Sequence, residues 1–235
     1  MRPLCAGGRR LHRRGYNLKT KGKNGARVLA RTCLCILVFL PGAFGAASAI
    51  GDGHSGDLFR ASSTTFSDNA ILPVSMIDNI PNGTSNSCTV GGIAGGNQSP
   101  EVSWTHAPAG TQSFAVLFYD LTASFTHWGM YNIPVSTNSL PAGAGIVGSS
   151  YGAEVYNDFF VDEGYDGPCP PVGVSPDSHY YVLTVYALDQ ALQLQSSANF
   201  PPVGETLLHA LLRATEDGHV LARSSIHGFY SATPP

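Results

Sequence analysis

The chain has 235 residues, 43% of them hydrophobic, and a formal net charge of −3. That near balance hides an uneven distribution, because ten of the thirteen Lys and Arg residues precede Thr32 and the first carboxylate is Asp52. Residues 50–235 carry three cations against sixteen carboxylates, a formal charge of −13 that argues against binding to nucleic acid or to anionic membranes.

The first predicted element is an export signal in residues 1–49. A basic stretch from Arg2 to Arg31 precedes an apolar stretch at 33–47, and residues 47–49 are the small residues that a signal peptidase accepts. A membrane anchor is the alternative, but a proline and two glycines interrupt an apolar run shorter than the roughly 20 residues that span a bilayer. We therefore expect cleavage after residue 49, no stable membrane insertion afterwards, and a secreted or periplasmic protein.

The mature part consists of a glycine-rich linker at residues 50–57 and a domain at 58–235. This length suits a single domain with its own core. Two cysteines remain, Cys88 and Cys169, and an oxidising compartment favours a disulfide between them. Two unpaired thiols are the alternative that the sequence leaves open.

Segments of strand character recur between turn clusters in the domain. The predicted strands are residues 70–76, 101–104, 112–119, 127–133, 180–188 and 220–226. Two of them, 112–119 and 180–188, are apolar on both faces, which predicts central strands covered from both sides. A leucine stripe predicts a helix at 203–215. The fold class is therefore mainly β, a central antiparallel-rich β-sheet core with one or two peripheral helices.

Three polar residues fall at the predicted ends of core strands: Asp120, His127 and His179. Between the two histidines lies a stiff turn at residues 165–171, in which three prolines fix φ and remove amide donors. Gly167 in this turn would let a ligand approach the backbone closely. The pattern predicts a preorganised pocket.

These residues resemble the phosphatidylethanolamine-binding protein family, also called Raf-kinase-inhibitor-like, and in particular its bacterial branch. The resemblance covers residues 59–230 through segments in the family's order, among them Gly96–Pro100, Thr126–Trp128, Asn157–Phe159, Gly167–Pro171, His179–Tyr181 and His219–Ala222. It implies a central β-sheet with peripheral helices and a small surface cavity for phosphate or a phosphorylated headgroup.

The resemblance also implies a set of ligand-binding residues, namely Asp120, His127, Gly167, Pro168, His179 and Tyr180. Two imidazoles, backbone amides and one carboxylate suit a small zwitterion, with imidazole and amide donors facing the phosphate and Asp120 accepting from the ammonium. Tyr180 stands where the family usually has Arg, and Tyr offers one hydroxyl in place of a charged fork of donors. We therefore expect weak anion binding that changes with pH as the histidines titrate near 6.5.

Other readings of the same residues lead to different functions. Inhibition of an extracytoplasmic protease is the main alternative, since relatives inhibit kinases or proteases through surfaces around this cavity. A small hydrolase would need a nucleophile such as Ser99, Ser224 or Ser225, but the sequence has no Gly-x-Ser-x-Gly elbow. Zinc on the carboxylate and two histidines lacks a short-range ligand pair. We expect ligand capture without turnover, cofactor or metal.

Overall fold

A computed structural model describes residues 58–160, 162–196 and 201–234. The predicted signal peptide and linker, residues 1–49 and 50–57, lie outside the described residues. The strands are β1 (Arg60–Ser62), β2 (Ala70–Ile71), β3 (Pro81–Asn82), β4 (Ser85–Asn86), β5 (Val102–Thr105), β6 (Ser113–Asp120), β7 (Phe125–Pro134), β8 (Ser139–Leu140), β9 (Ala153–Glu154), β10 (His179–Leu188) and β11 (Val220–Tyr230). One α-helix, α1 (Gly204–Glu216), accompanies them in the described part of the chain.

The strands form a large sheet of six, in the order β2-β11-β10-β6-β7-β9, and a small sheet of three, in the order β1-β5-β8. All neighbours are antiparallel except β11 and β2, which are parallel. Strands β3 and β4 pair separately. The mainly β fold class expected from the sequence is confirmed.

Two apolar layers cover the central strands of the large sheet. One face packs on the small sheet, where Phe118 and Leu183 belong to the same buried cluster as Trp104. The other face packs on α1, where Leu117 meets Leu207 in a second cluster. Because both faces are covered, β6 and β10 carry apolar residues on both faces.

Helix α1 matches the predicted position within one residue at each end. Its buried stripe is Leu207, Ala210, Leu211 and Ala214. Leu212, which we expected in the stripe, is 51% exposed. Each residue advances the helix by about 100°, so Leu212 lies to one side of the buried face that carries Leu211. Within the described residues, no helix has the length and apolar character needed to cross a membrane.

The predicted strand at 70–76 is wrong beyond its first two residues. After β2 the chain enters a short 3-10 helix at Val74–Met76, closed by a hydrogen bond from the N–H of Met76 to the carbonyl of Pro73. Pro73 has no amide hydrogen to continue the pairing with β11. The short strands β1, β3, β4, β8 and β9 were not among the predicted strands.

Candidate functional site

Three adjacent strands of the large sheet bring the predicted polar residues to one end of the sheet. Strand β6 lies between β7 and β10 and ends at Asp120. Asp120 is opposite Phe125 of β7 on one side and Tyr181 of β10 on the other. Because both pairings are antiparallel, the last residue of β6 lies beside the first residues of both neighbours.

A solvent-open cavity of about 230 Å³ lies at this end of the sheet, and we call it the histidine cavity. Its polar side chains are Asp120, His127 and His179. Its remaining walls consist of aromatic rings and a proline segment, formed by Phe125, Phe159, Tyr181, Cys169, Pro170 and Pro171, with Ala123 between them. Polar side chains from three neighbouring strands therefore share one concave surface.

Asp120 and His179 form a buried pair. Nδ1 of His179 lies 2.6 Å from Oδ2 of Asp120, and the two residues are 8% and 2% exposed respectively. Oδ1 of Asp120 accepts hydrogen bonds from the backbone N–H groups of Thr122 (2.8 Å) and Ala123 (3.0 Å). Three donors on one side chain suit an ionised carboxylate, so Nδ1 of His179 donates its hydrogen to Asp120. Nε2 is the ring nitrogen of His179 that this pair leaves unused.

His127 is held by the proline segment and enclosed by aromatic rings. Its Nδ1 lies 2.8 Å from the backbone carbonyl of Asp166. A carbonyl only accepts, so Nδ1 carries the hydrogen and Nε2 of the neutral ring carries a lone pair. The rings of Phe125 and Tyr181 have centroids 4.9 and 5.6 Å from the imidazole.

The charge state of His127 differs from the expected one. Burial lowers the pKa of His127 to about 4, although the Asp166 carbonyl and the nearby Asp120 oppose this shift. The expectation that it titrates near 6.5 is therefore wrong. The expectation that this imidazole donates to a phosphate stays a prediction; it requires a hydrogen on Nε2, since the Nδ1 hydrogen already bonds the Asp166 carbonyl.

The proline segment is fixed by hydrogen bonds and by a disulfide. The N–H of Gly167 donates to Oδ1 of Asn97 (2.7 Å), and the carbonyl of Pro168 accepts from the N–H of Asp78 (3.2 Å). Cys169 forms a disulfide with Cys88, with the two Cα atoms 4.5 Å apart. The predicted pairing of the two cysteines is thus present in the structure, and it anchors one wall of the cavity.

Gly167 and Pro168 themselves do not line the cavity; the following Pro170 and Pro171 do. A Cβ on Gly167 would collide with the backbone of residues 76–78. Gly167 therefore permits close packing of two backbone segments, and the predicted approach of a ligand at this position is wrong.

Tyr180 also lies outside the cavity wall. Its ring stacks on His227, with centroids 5.6 Å apart, and contacts Phe229 at 4.8 Å. Successive residues of a strand point to opposite faces, so His179 and Tyr181 share the cavity face and Tyr180 takes the other. The sequence contained this signal, because a cavity-facing His179 in a strand implies a cavity-facing Tyr181.

Tyr181, Phe125 and Phe159 are cavity residues that the sequence reasoning missed. The hydroxyl of Tyr181 is buried without a hydrogen-bond partner among the described residues. Burial and the neighbouring Asp120 charge raise the pKa of this hydroxyl far above its ordinary value, so it stays protonated. Phe125 and Phe159 meet edge to face at 4.8 Å.

The alternatives considered from the sequence fall elsewhere in the structure. Across the described ranges, no cluster of three or more His, Cys, Asp or Glu side chains is placed to hold a metal ion. Ser99 is buried and accepts from the N–H of Gly145, while Ser224 and Ser225 lie on β11. These serines are not part of the cavity wall.

Comparison with known proteins identifies relatives over most of the domain. A family model described as phosphatidylethanolamine-binding protein matches residues 62–231. YbhB of Escherichia coli strain K12 is 36% identical over 132 residues, which are 53% of this chain and 82% of YbhB. LppC of Mycobacterium tuberculosis strain H37Rv, named as a lipoprotein, is 32% identical over 124 residues, which are 49% of this chain and 56% of LppC.

A solved structure of a relative also matches the fold of this chain. The crystal structure of Escherichia coli YbcL, described as a new member of the mammalian PEBP family, superposes with a TM-score of 0.56. The match is 28% identical in sequence and covers 74% of this chain and 98% of YbcL. The resemblance inferred from the sequence is confirmed by both comparisons. The chain belongs to the phosphatidylethanolamine-binding protein family.

Proposed function

We propose that this chain is an exported protein that binds a small zwitterionic or phosphorylated headgroup in the histidine cavity and releases it unchanged. The observation that carries the proposal is the buried pair of Asp120 and His179 beside His127, in the wall of a cavity open to solvent. In a concave, mostly apolar cavity, a few polar groups in the wall usually orient the ligand.

The size and rigidity of the cavity suit a headgroup. Its volume of about 230 Å³ lies below the roughly 300–1,000 Å³ of pockets that enclose drug-sized molecules. The Cys88–Cys169 disulfide and the hydrogen bonds of Gly167 and Pro168 hold the proline wall in place before a ligand arrives. A preformed wall reduces the ordering entropy lost on binding.

Export is supported by three separate features. The basic and apolar pattern of residues 1–49 has the composition of a signal peptide. Disulfides such as Cys88–Cys169 persist in oxidising compartments. The relative LppC is named as a lipoprotein.

Binding without turnover is supported by the position of the candidate nucleophiles. A hydrolytic serine needs a general base within hydrogen-bond reach. Ser224 accepts from the N–H of Ala61, and Ser225 shares a hydrogen bond with Thr184 at 2.8 Å. Ser99 supports the backbone of Gly145. The cavity histidines instead contact Asp120 and the Asp166 carbonyl.

Calorimetric titration with phosphoethanolamine tests the proposal, with esterase and protease-inhibition assays run on the same samples. Asp120→Asn should weaken binding at least tenfold, because Asn has a single acceptor oxygen, so its NH2 group must face either His179 or the N–H groups of Thr122 and Ala123. Asp189→Asn is the matched control, since Asp189 makes the same type of pair with His219 at 3.0 Å on an exposed surface. Absence of binding by the wild-type protein, or equal loss in both variants, would contradict the proposal. Ester hydrolysis that disappears in Asp120→Asn would instead identify an enzyme.

A further inference from the structure

The β3–β4 hairpin has an asparagine followed by a glycine at its tip. Strand β3 ends at Asn82 and β4 begins at Ser85, so Gly83 and Thr84 are the two turn residues. Gly83 has φ +64°, and Thr84 is not among the residues with positive φ. This matches a type II′ turn, in which glycine takes the first position. From residue 50 onward the sequence contains no other Asn-Gly pair.

An asparagine before a glycine can react with the backbone that follows it. The glycine nitrogen loses its proton to solvent and attacks Cγ of the asparagine. A new C–N bond closes a succinimide ring, while the bond from Cγ to the side-chain nitrogen breaks and ammonia leaves with the proton. Water then opens the ring at either carbonyl and yields aspartate or isoaspartate. Glycine favours the attack because it has no Cβ in the way.

The surroundings of Asn82 leave this reaction unobstructed in the described part of the chain. Residues 79–85 are all exposed. Among the described residues, neither the Asn82 side chain nor the N–H of Gly83 forms a hydrogen bond. The position of a Cβ on Gly83 has no other atom within 4 Å. The space that the ring needs is therefore open to solvent.

The hairpin can also open to reach the geometry that ring closure requires. An extended backbone holds the asparagine side chain away from the next nitrogen, so the strand conformation at Asn82 must first be lost. Strands β3 and β4 have two residues each and pair only with each other. An isolated pair of strands is marginally stable, and local opening costs much less than global unfolding.

Other asparagines in the described residues lack this combination of features. Asn86 lies in the same hairpin but is 6% exposed. Its Nδ2 donates to the carbonyl of Asp78 (2.8 Å), and its Oδ1 accepts from the N–H of Cys88 (3.0 Å). Asn138 is exposed, but a serine follows it and its side chain hinders the attack. These two residues serve as internal references for Asn82.

We propose that Asn82 is a site of spontaneous deamidation, at which the folded protein reacts with water to form aspartate and isoaspartate. Each conversion adds one carboxylate to the sixteen that the chain already has. The inference goes beyond the proposed function and does not depend on it, because the hairpin tip is not part of the histidine cavity.

The position of Asn82 also predicts that the fold tolerates the modification. Isoaspartate adds one carbon to the backbone at the tip, whereas the bonds that fix the hairpin lie at its base. There the N–H of Ser87 donates to the carbonyl of Ile80 (2.9 Å), and Asn86 donates to Asp78. The deamidated protein should keep the urea midpoint of fresh protein. A lower midpoint would contradict the independence of the tip.

Incubation of the purified protein at mildly alkaline pH tests the proposal. Peptide mass spectrometry identifies each asparagine converted to a carboxylate, and methyl transfer by protein-L-isoaspartate methyltransferase counts isoaspartate. Asn82 should convert at least tenfold faster than Asn86 and Asn138, and faster as the pH rises, because the attacking nitrogen must lose its proton. Conversion of either reference as fast as Asn82 would overturn the proposal. So would an unchanged Asn82 after a free peptide of residues 80–86 has reacted fully.

Two glycines provide a matched pair of variants. Gly83 and Gly148 both have positive φ and open space at the position of a Cβ, so alanine causes similar backbone strain at each. Only Gly83→Ala places a methyl group beside the attacking nitrogen. Gly83→Ala should slow the conversion of Asn82 at least tenfold, and Gly148→Ala should leave it unchanged. Equal rates in the two variants, or wild-type isoaspartate levels in Asn82→Gln, would overturn the proposal.

Discussion

Replacing Gly167 with Ala tests whether the proline wall is positioned by the backbone behind it. Gly167 is buried, and a Cβ at this position would overlap the carbonyl of Met76 and the amide of Asp78. Main-chain atoms cannot rotate away as the end of a flexible side chain can, so the two segments must separate. Overpacking generally lowers stability by about 1–3 kcal/mol. With backbone on both sides, we expect a loss of about 3 kcal/mol in the free energy of unfolding.

The same substitution should also weaken ligand binding. Separation of the two segments strains the hydrogen bonds from Gly167 to Asn97 and from Asp78 to Pro168, and it displaces the following prolines of the cavity wall. Urea denaturation measures the first effect, and phosphoethanolamine titration measures the second. A variant within about 0.5 kcal/mol of wild type that binds normally would refute this account of the wall, since surface substitutions without structural consequence fall in that range.

Gly148→Ala separates steric overlap from backbone strain. Gly148 has φ +73° and open space around the position of a Cβ, so an Ala there meets only the left-handed backbone penalty of about 1–2 kcal/mol. We expect that loss of stability without any change in ligand binding. A control that impaired binding as much as Gly167→Ala would show that general destabilisation, and not displacement of the wall, explains the binding defect.

Three further predictions concern stability, each measured by urea denaturation. Replacing Cys88 and Cys169 by Ala should lower the free energy of unfolding by about 4 kcal/mol and abolish the effect of reductant, because the bond joins residues 81 apart in sequence. Burial lowers the pKa of His127 to about 4, so on acidification the unfolded state binds this proton before the folded state does. The free energy of unfolding should therefore fall by about 3 kcal/mol as the pH is lowered from 6.5 to 4. His127→Asn should remove that fall. Burial raises the pKa of Glu154 to about 7, so as the pH rises the folded state keeps this proton after the unfolded state has lost it. The free energy of unfolding should therefore fall by about 3 kcal/mol as the pH rises from 4.5 through 7. Glu154→Gln, which can still accept the hydrogen bond from Trp128, should remove that fall. A pH dependence unchanged in either variant would contradict the corresponding prediction.

The parts of the fold that the sequence predicts are those with a local pattern. Strands β6 and β10 have unbroken apolar runs because both faces are covered, and α1 has a helical stripe. The short strands β3, β4, β8 and β9 have two residues each, which is too few for any periodicity. Their pairing depends on the surrounding tertiary structure, so the sequence does not predict them.

The candidate site, too, contains residues that the sequence predicts and features that it does not predict. Asp120, His127 and His179 were predictable because each lies at or near the end of a core strand, and antiparallel neighbours bring such ends together. The role of Gly167 was not predictable, because a glycine indicates a close approach without indicating what approaches. The charge state of His127 was not predictable either, since it depends on burial that only the assembled aromatic wall provides.

The residue that replaces the family's usual arginine leads to the last prediction. From the sequence, the change to Tyr180 explained why anion affinity should be weak. In the structure Tyr180 stacks on His227 and Phe229, while the residues on either side of it in β10 line the cavity. The replacement of the family's arginine by Tyr180 therefore removes no group from the cavity wall. We expect Tyr180→Arg to leave the affinity for inorganic phosphate unchanged, and Ala123→Lys, which places a cation in the wall, to raise that affinity at least tenfold. Tighter binding of phosphate by Tyr180→Arg would mean that the guanidinium reaches the cavity past His179, and alternation along β10 would then not determine which side chains meet the ligand.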